Sequence, residues 1–289
     1  LGRFKITAGG TNNDATWIVP DCCCGRSEDS TVGNMGLDNR HALVTGAGSG
    51  IGSAIARALS RAGARTSLLG RSEARLEALA QDLGDSAQVV VADVTDRPVL
   101  GSAVQQLVDQ YGPVEVLVNN AGGALSSPLD RTDDQDWDQM ISVNLTSLFN
   151  VTRLLVPGMK SVGYGRIVTI ASIAGITGHP YITAYCAAKH GAVGFSRALA
   201  LELAGSGITV NAVCPGFTET PLLERSIDNI VAKTGRDAAV ARAELACNNP
   251  QGRFIQPEEV ASCVVWLCSA AAESISGQAL AIDGGETAG

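Results

Sequence analysis

Three residues whose side chains could do chemistry stand close together: Ser172, Tyr185 and Lys189. Ser172 precedes Tyr185 by thirteen residues, and Lys189 follows it by four. Residues four apart on a helix share a face, so the Tyr185 phenol and the Lys189 ammonium can look into one site. A fixed cation beside a phenol favours the phenolate. The spacing therefore predicts that Lys189 lowers the Tyr185 pKa from about 10 toward the range of an acid–base catalyst. Ser172 follows the β-branched run Ile167-Val-Thr-Ile-Ala171, at the end of a predicted strand, where open α/β sheets carry their sites. Alone, a Tyr-x-x-x-Lys pair on a helix usually means a half-buried ring with a solvated amine. The rest of the chain has to decide.

The elements that must position these residues come in a regular order. Ala42-Leu-Val44 reads as a buried first strand leading into Thr45-Gly-Ala-Gly-Ser-Gly-Ile-Gly52. Ile51, Ala54, Ile55, Ala58, Leu59 and Ala62 then recur at helical spacing, with Gly63 as a stop. A strand, a glycine loop and a helix in succession are a recipe for holding a pyrophosphate. Glycines (Gly46, Gly50, Gly52) let the backbone approach, and the helix N-terminus offers free N–H groups and a positive dipole end.

The second strand, Thr66–Leu69, ends in Gly70-Arg71-Ser72, with no carboxylate where an NAD-type fold places an acid on the ribose hydroxyls. A guanidinium and a small hydroxyl suit a 2′-phosphate instead. Arg71 thus favours NADP(H), with NAD(H) possible if it is a solvated loop cation.

Further strands are predicted at 88–92, 114–118, 208–213 and 279–282, alternating with helices. One of these helices turns Val99, Leu100, Ala103, Val104, Leu107 and Val108 inward. Another opens on a capping box, Thr132-x-x-Gln135, and runs on through Met140, Ile141, Asn144 and Leu145. Such alternation predicts one Rossmann-type, doubly wound parallel sheet, α/β in class, over residues 35–289. Between Thr220 and Gln256 lies a long insertion, 222–252, where Leu222, Leu223, Ile227, Ile230 and Val231 recur at helical spacing. It reads as a helical lid over a substrate or as an amphipathic surface helix.

Composition closes off other classes. The 289 residues are 17% charged and 45% hydrophobic, suited to a well-buried core. A net charge of −8 argues against nucleic acid or an anionic membrane as partner. No apolar run reaches the roughly 18 residues that span a bilayer. The eight cysteines lack metal-ligand spacing and read as small buried hydrophobes in a reducing, cytoplasmic setting, with no metal expected. Residues 1–34 show no sustained period and read as a disordered extension, a tag or a mis-called start before Met35. A metal site at Cys22–Cys24 is the sharper alternative.

From about Gly36 to Gly285 these motifs together resemble the short-chain dehydrogenase/reductase family. T-G-A-G-S-G-I-G at 45–52, Asp93, N-N-A-G at 119–122, Asn144, Ser172, Tyr185-x-x-x-Lys189 and P-G-x-x-x-T at 215–220 stand in that family's order and spacing. The resemblance implies that Tyr185 is the general acid in carbonyl reduction and the base in alcohol oxidation. It implies that Ser172 steadies the substrate oxygen and that Lys189 binds the nicotinamide ribose. Asn144 would hold a relay water, with a buried structural amide as the plain alternative. Gly46, Ser49 and Ile51 would line the phosphates, Asp93 and Val94 the adenine, and Asn120 the ribose, within the segment that includes Ala121 and Gly122. Thr220, after Pro215 and Gly216, would contact the carboxamide or serve only as a helix N-cap.

The part after Cys214 is similar to bacterial 3-hydroxybutyrate dehydrogenases, which grip a small carboxylate with polar residues. The matching positions here, Ala124, Ala174 and Ile182, cannot hold a carboxylate; with Leu222 and Leu223 they describe an apolar pocket. That pocket fits a 3-oxoacyl thioester or a hydrophobic ketone. The competing readings are an oxidative hydroxyacyl or secondary-alcohol dehydrogenase and a non-catalytic dinucleotide-binding regulator. The resemblance also implies a homotetramer or homodimer built on the helices holding Asn144 and Tyr185.

Overall fold

A computed structural model describes residues 36–288; the expectations for residues 1–34, Met35 and Cys22–Cys24 lie outside the described residues. Seven strands form one sheet: β1 (His41–Thr45), β2 (Arg65–Gly70), β3 (Ala87–Val91), β4 (Val116–Asn119), β5 (Gly165–Ile170), β6 (Ile208–Pro215) and β7 (Ala279–Ile282). Every neighbouring pair is parallel, in the order β3-β2-β1-β4-β5-β6-β7. The chain winds outward from β1 to β3, then crosses back to β4 on the other side of β1. The crevice beyond β1 and β4 is therefore the topological switch point, where such sheets bind ligands.

Parallel strands with helices on both faces are apolar on both faces. In β1, Ala42 and Val44 join one core and Leu43 the other. The first core takes Ile55 and Leu59 from α1 (Gly50–Arg61), Leu76 and Leu79 from α2 (Glu73–Leu83), and Val260, Val264 and Leu267 from α9 (Pro257–Cys268). The second takes Leu100, Val104 and Leu107 from α3 (Arg97–Tyr111), Val151, Leu155 and Met159 from α5 (Ser147–Val162), and Leu203 from α6 (Thr183–Leu203). Each such side chain, fully buried, contributes about 1.5–3 kcal/mol relative to exposure.

Three local expectations need correcting. Val99 is 47% exposed, because it lies in the first turn of α3, where Asp96 accepts its N–H at 3.1 Å, and off the stripe made by Leu100, Val104 and Leu107. The helix at 132–135 opens one residue late. Asp133 caps it, accepting the Asp136 N–H at 2.8 Å, because the Thr132 hydroxyl is already turned to the Pro128 carbonyl at 3.0 Å. Nor is that helix continuous: α4 (Asp134–Ile141) passes through one π-helical turn, Ser142–Thr146, into α5.

Residues 222–252 contain most of α7 (Pro221–Thr234) and all of α8 (Ala238–Ala246). Among the described residues no helix is long and apolar enough to cross a membrane.

Candidate active site

Above the switch point lies a cleft of about 600 Å³. Its floor is the glycine loop. Gly46 and Gly50 have φ of +64° and +54°, a region that favours glycine. A Cβ on Gly46 would come within 2.9 Å of the Ala121 backbone, so only glycine lets the two loops meet. Thr45 and Asn120 lock them together. The Thr45 hydroxyl accepts the Asn120 and Ala121 N–H groups at 2.9 and 3.0 Å, and the Asn120 amide donates to the Thr45 carbonyl at 2.9 Å.

The residues expected at the phosphates, Ser49, Gly50, Ile51 and Gly52, all line this cleft with Gly46. Ser49 is the N-cap of α1 yet makes no side-chain cap hydrogen bond. The helix thus presents its first-turn N–H groups and a spare hydroxyl to the cleft, which is the donor set a phosphate needs.

At the far end Arg71, Asp93 and Val94 also line the cleft. Burial pushes the Asp93 carboxyl up, but two hydrogen bonds from Thr95 and the Arg71 guanidinium at 3.7 Å hold it below its ordinary pKa. Sequence reasoning passed over Arg75, whose Cβ packs 3.2 Å from where Gly48 would carry one. The available signal was a second arginine four residues after Arg71. Leu125, Gln139 and Arg225 were missed as well, and nothing in their spacing marked them.

Tyr185 and Lys189 share a face of α6 and both reach the cleft, as the spacing predicted. Their electrostatics differ from expectation. Burial pushes the Tyr185 phenol up to about 12, only partly offset by a hydrogen bond with Ser172. The residue is half-buried and lines the cleft. Lys189 does not bring it into the working range of a catalyst at neutral pH. Its ammonium donates to the Ile170 carbonyl at 2.9 Å and lies 5.6 Å from the Tyr185 ring centre. Burial pushes Lys189 itself down to about 8. Ser172 caps the short turn that follows β5, accepting the Ala174 N–H at 3.1 Å.

Asn144 sits in the π turn, 1% exposed, and its amide is fully engaged. It donates to the carbonyls of Gly123 and Met140 at 2.9 and 3.0 Å and accepts the Gly123 N–H at 3.2 Å. A Cβ on Gly122, which also lines the cleft, would stand 2.8 Å from its oxygen. Thr220 likewise caps α7, accepting the Leu223 N–H at 3.3 Å while its methyl packs on Gly50.

The substrate positions divide. Ala124 and Leu222 line the cleft. Leu223 does not: it is buried with Ile227, Ala241 and Phe254, because α7 turns that face onto α8. Ala174 is sealed in the turn after Ser172 at 2% exposure, and Ile182 lines a small side cavity behind Leu125 and Met140. Pro215 and Gly216 stand at the end of β6, outside the cleft, where a Gly216 Cβ would lie 3.2 Å from that of Asp283.

The family model for short chain dehydrogenases matches residues 40–230. The chain belongs to the short-chain dehydrogenase family. Enzymes of this family move hydride between an NAD(P) cofactor and a CH–OH centre. A relative is the 3-oxoacyl-(acyl-carrier-protein) reductase of Thermotoga maritima, 40% identical over 87% of this chain and 99% of that protein. The D-beta-hydroxybutyrate dehydrogenase of Cupriavidus necator is 36% identical over 86% of this chain and 98% of that one. A solved structure of an actinorhodin polyketide ketoreductase variant with NADPH superposes with a TM-score of 0.83 at 40% identity, covering 86% of this short-chain dehydrogenase and 97% of that chain.

Proposed function

We propose that the protein is an NADP(H)-dependent reductase of 3-oxoacyl thioesters or closely related ketones. The observation that carries this reading is the Tyr185 phenol beside Lys189, both lining a cleft that also holds Arg71 and Arg75. Two relatives add support: the oxoacyl reductase at 40% identity and the NADPH-bound ketoreductase fold.

The glycine loop, the uncapped α1 N-terminus and the two arginines fit a phosphorylated dinucleotide, which when bound supplies the hydride. The chain supplies the rest. A phenol pushed up to about 12 is protonated at neutral pH, so Tyr185 stands ready to donate its proton to the substrate oxygen as that oxygen gains charge. Ser172, hydrogen-bonded to the phenol, offers a second contact to the same oxygen. Lys189 contributes a buried positive charge on the α6 face that carries Tyr185. The Asn144 side chain clamps the loop at Gly123. A relay water would therefore need a partner other than this side chain amide.

The cleft wall at Ala124, Leu125, Met140 and Leu222 is apolar, as an acyl group requires, and α7 with α8 forms a lid above it. The expectation of a homotetramer or homodimer is supported by exposed Phe149 and Leu154 on α5 and Leu201, 83% exposed, on α6. A cytoplasmic setting is supported by the free thiols of Cys186, Cys214, Cys247, Cys263 and Cys268. The test is reduction of acetoacetyl-coenzyme A, followed by loss of NADPH absorbance. Turnover by the native enzyme and its abolition in Tyr185→Phe are expected. Oxidation of 3-hydroxybutyrate with NAD in preference to that reaction would overturn the proposal.

A further inference from the structure

The chain carries a net charge of −8, yet its cleft is cationic. Among the described residues that line it, Arg71, Arg75, Lys189 and Arg225 are positive and Asp93 is the one carboxylate. Arg71 and Arg75 mark the adenosine end, and Lys189 is engaged by Ile170. Arg225 has no such explanation. It is exposed, and its side chain makes no hydrogen bond or ion pair to any described residue. The acid beside it, Glu224, is already taken by Arg242 at 2.5 Å.

Its position is set by how α7 is mounted. The start of α7 rests on the glycine loop: Thr220 Cγ2 lies 3.1 Å, and Pro221 Cδ 3.7 Å, from where Gly50 would carry a Cβ. The other end is pinned across the cleft, where Lys233 donates to the Ser126 carbonyl at 2.8 Å. Arg225 stands four residues after Pro221 and three after Leu222, on the helix face those residues turn to the cleft. One helical turn, about 5.4 Å, separates it from the edge of the phosphate loop, a span an extended arginine covers. A planar, permanently charged fork within reach of that loop is matched to phosphate oxygens.

We propose that Arg225 is a phosphate clamp carried by the helix that roofs the cleft. It ion-pairs a phosphate at the rim of the glycine loop, either the cofactor's diphosphate seated on that loop or the phosphorylated arm of a coenzyme A thioester entering beside it. This rests on the NADP(H) reading and adds a second anchor, independent of the 2′-phosphate end.

The experiment uses the full chain with Arg225→Gln and Arg225→Lys. NADPH binding is followed by fluorescence, and 2′-AMP, which lacks the diphosphate, by calorimetry. If the cofactor supplies the phosphate, Arg225→Gln weakens NADPH about tenfold or more, the scale of a lost charge-assisted contact. Arg225→Lys then restores part of that loss, and 2′-AMP affinity stays unchanged. If the substrate supplies it, NADPH affinity is unchanged, KM for acetoacetyl-coenzyme A rises by a similar factor, and KM for phosphate-free ethyl acetoacetate does not move. The proposal is overturned if none of these quantities changes, or if 2′-AMP and NADPH affinity fall together. Failure of the native protein to bind 2′-AMP would instead count against Arg71 and Arg75, leaving the Arg225 comparison to be read with NADH.

Discussion

The Lys189 ammonium donates to the Ile170 carbonyl at 2.9 Å, tying the middle of α6 to the last residue of β5. That bond fixes a charge behind the site and, through burial, leaves it easy to lose: Lys189 is pushed down to about 8. Tyr185, pushed up to about 12, stays protonated through the same range. As pH rises through about 8, then, Lys189 loses its charge while Tyr185 keeps its proton. The kcat/KM for reduction should fall along an alkaline limb near that pH. Arg at position 189 cannot deprotonate there, so Lys189→Arg should flatten the limb in whatever activity remains, and Lys189→Met should cost about 10²–10⁴-fold. A profile level to pH 10 in the native enzyme would contradict the assignment.

Gly175 is a further point at which the site depends on close approach. A Cβ there would come within 2.7 Å of the Lys189 carbonyl oxygen, which is backbone and cannot swing away. Gly175→Ala must push the turn bearing Ser172 away from α6. Overpacking of this kind costs about 1–3 kcal/mol, or a Tm lower by several degrees. Displacement of reacting groups by a fraction of an ångström should lower kcat about tenfold or more. Cofactor affinity, set at the other end of the cleft, should hold.

Selectivity between cofactors should reside in Arg71 and Arg75. Arg71 is 80% exposed and its contact with Asp93 is 3.7 Å long, so neither structural cost nor a tight ion pair ties it down. Replacing both arginines with alanine should raise KM for NADPH by about 10–100-fold and leave KM for NADH nearly unchanged. The ratio of kcat/KM for the two cofactors measures this directly. A parallel loss for both would mean that the arginines shape the loop and do not read the 2′-phosphate.

Most of the strand and helix order was legible, because the strands are short, largely apolar runs and most helices show an apolar stripe at their own period. The glycine loop and the Tyr185–Lys189 pair were legible for the same reason: local spacing carries them. What escaped was set by distant contacts. Lys189 was expected to act on its helix neighbour Tyr185, but the carbonyl it bonds, on Ile170, is nineteen residues away. Leu223 shared a period with Leu222, yet adjacent residues on a helix point apart, and α8 claimed one of them. The π turn at Asn144 has no signature in hydrophobic spacing, since its amide is held by a loop carbonyl and N–H twenty-one residues earlier.

A last prediction concerns stability, at the opposite end of the sheet from the site. His41 is 1% exposed on β1. Its Nδ1 faces the Gly112 carbonyl at 3.0 Å and its Nε2 the Ser67 hydroxyl at 2.8 Å. These partners fit a neutral ring with the proton on Nδ1. Burial, with help from the Arg65 charge, holds the pKa below 6.5 against the opposing effects of the Gly112 and Pro113 carbonyls and Glu115. In that window the unfolded chain binds the proton that the folded chain refuses, so stability rises with pH. The contribution of His41 is complete above about 6.5 and is lost as pH falls from there toward the lowered folded value. Burial also lowers His179 and raises Glu286 toward this window, so the share of His41 between about pH 5 and 6.5 is read from the difference between native and variant. Thermal melts across that interval should show a falling Tm in the native protein and a flatter line in His41→Gln. Equal slopes would mean that His41 takes up its proton without cost inside the fold.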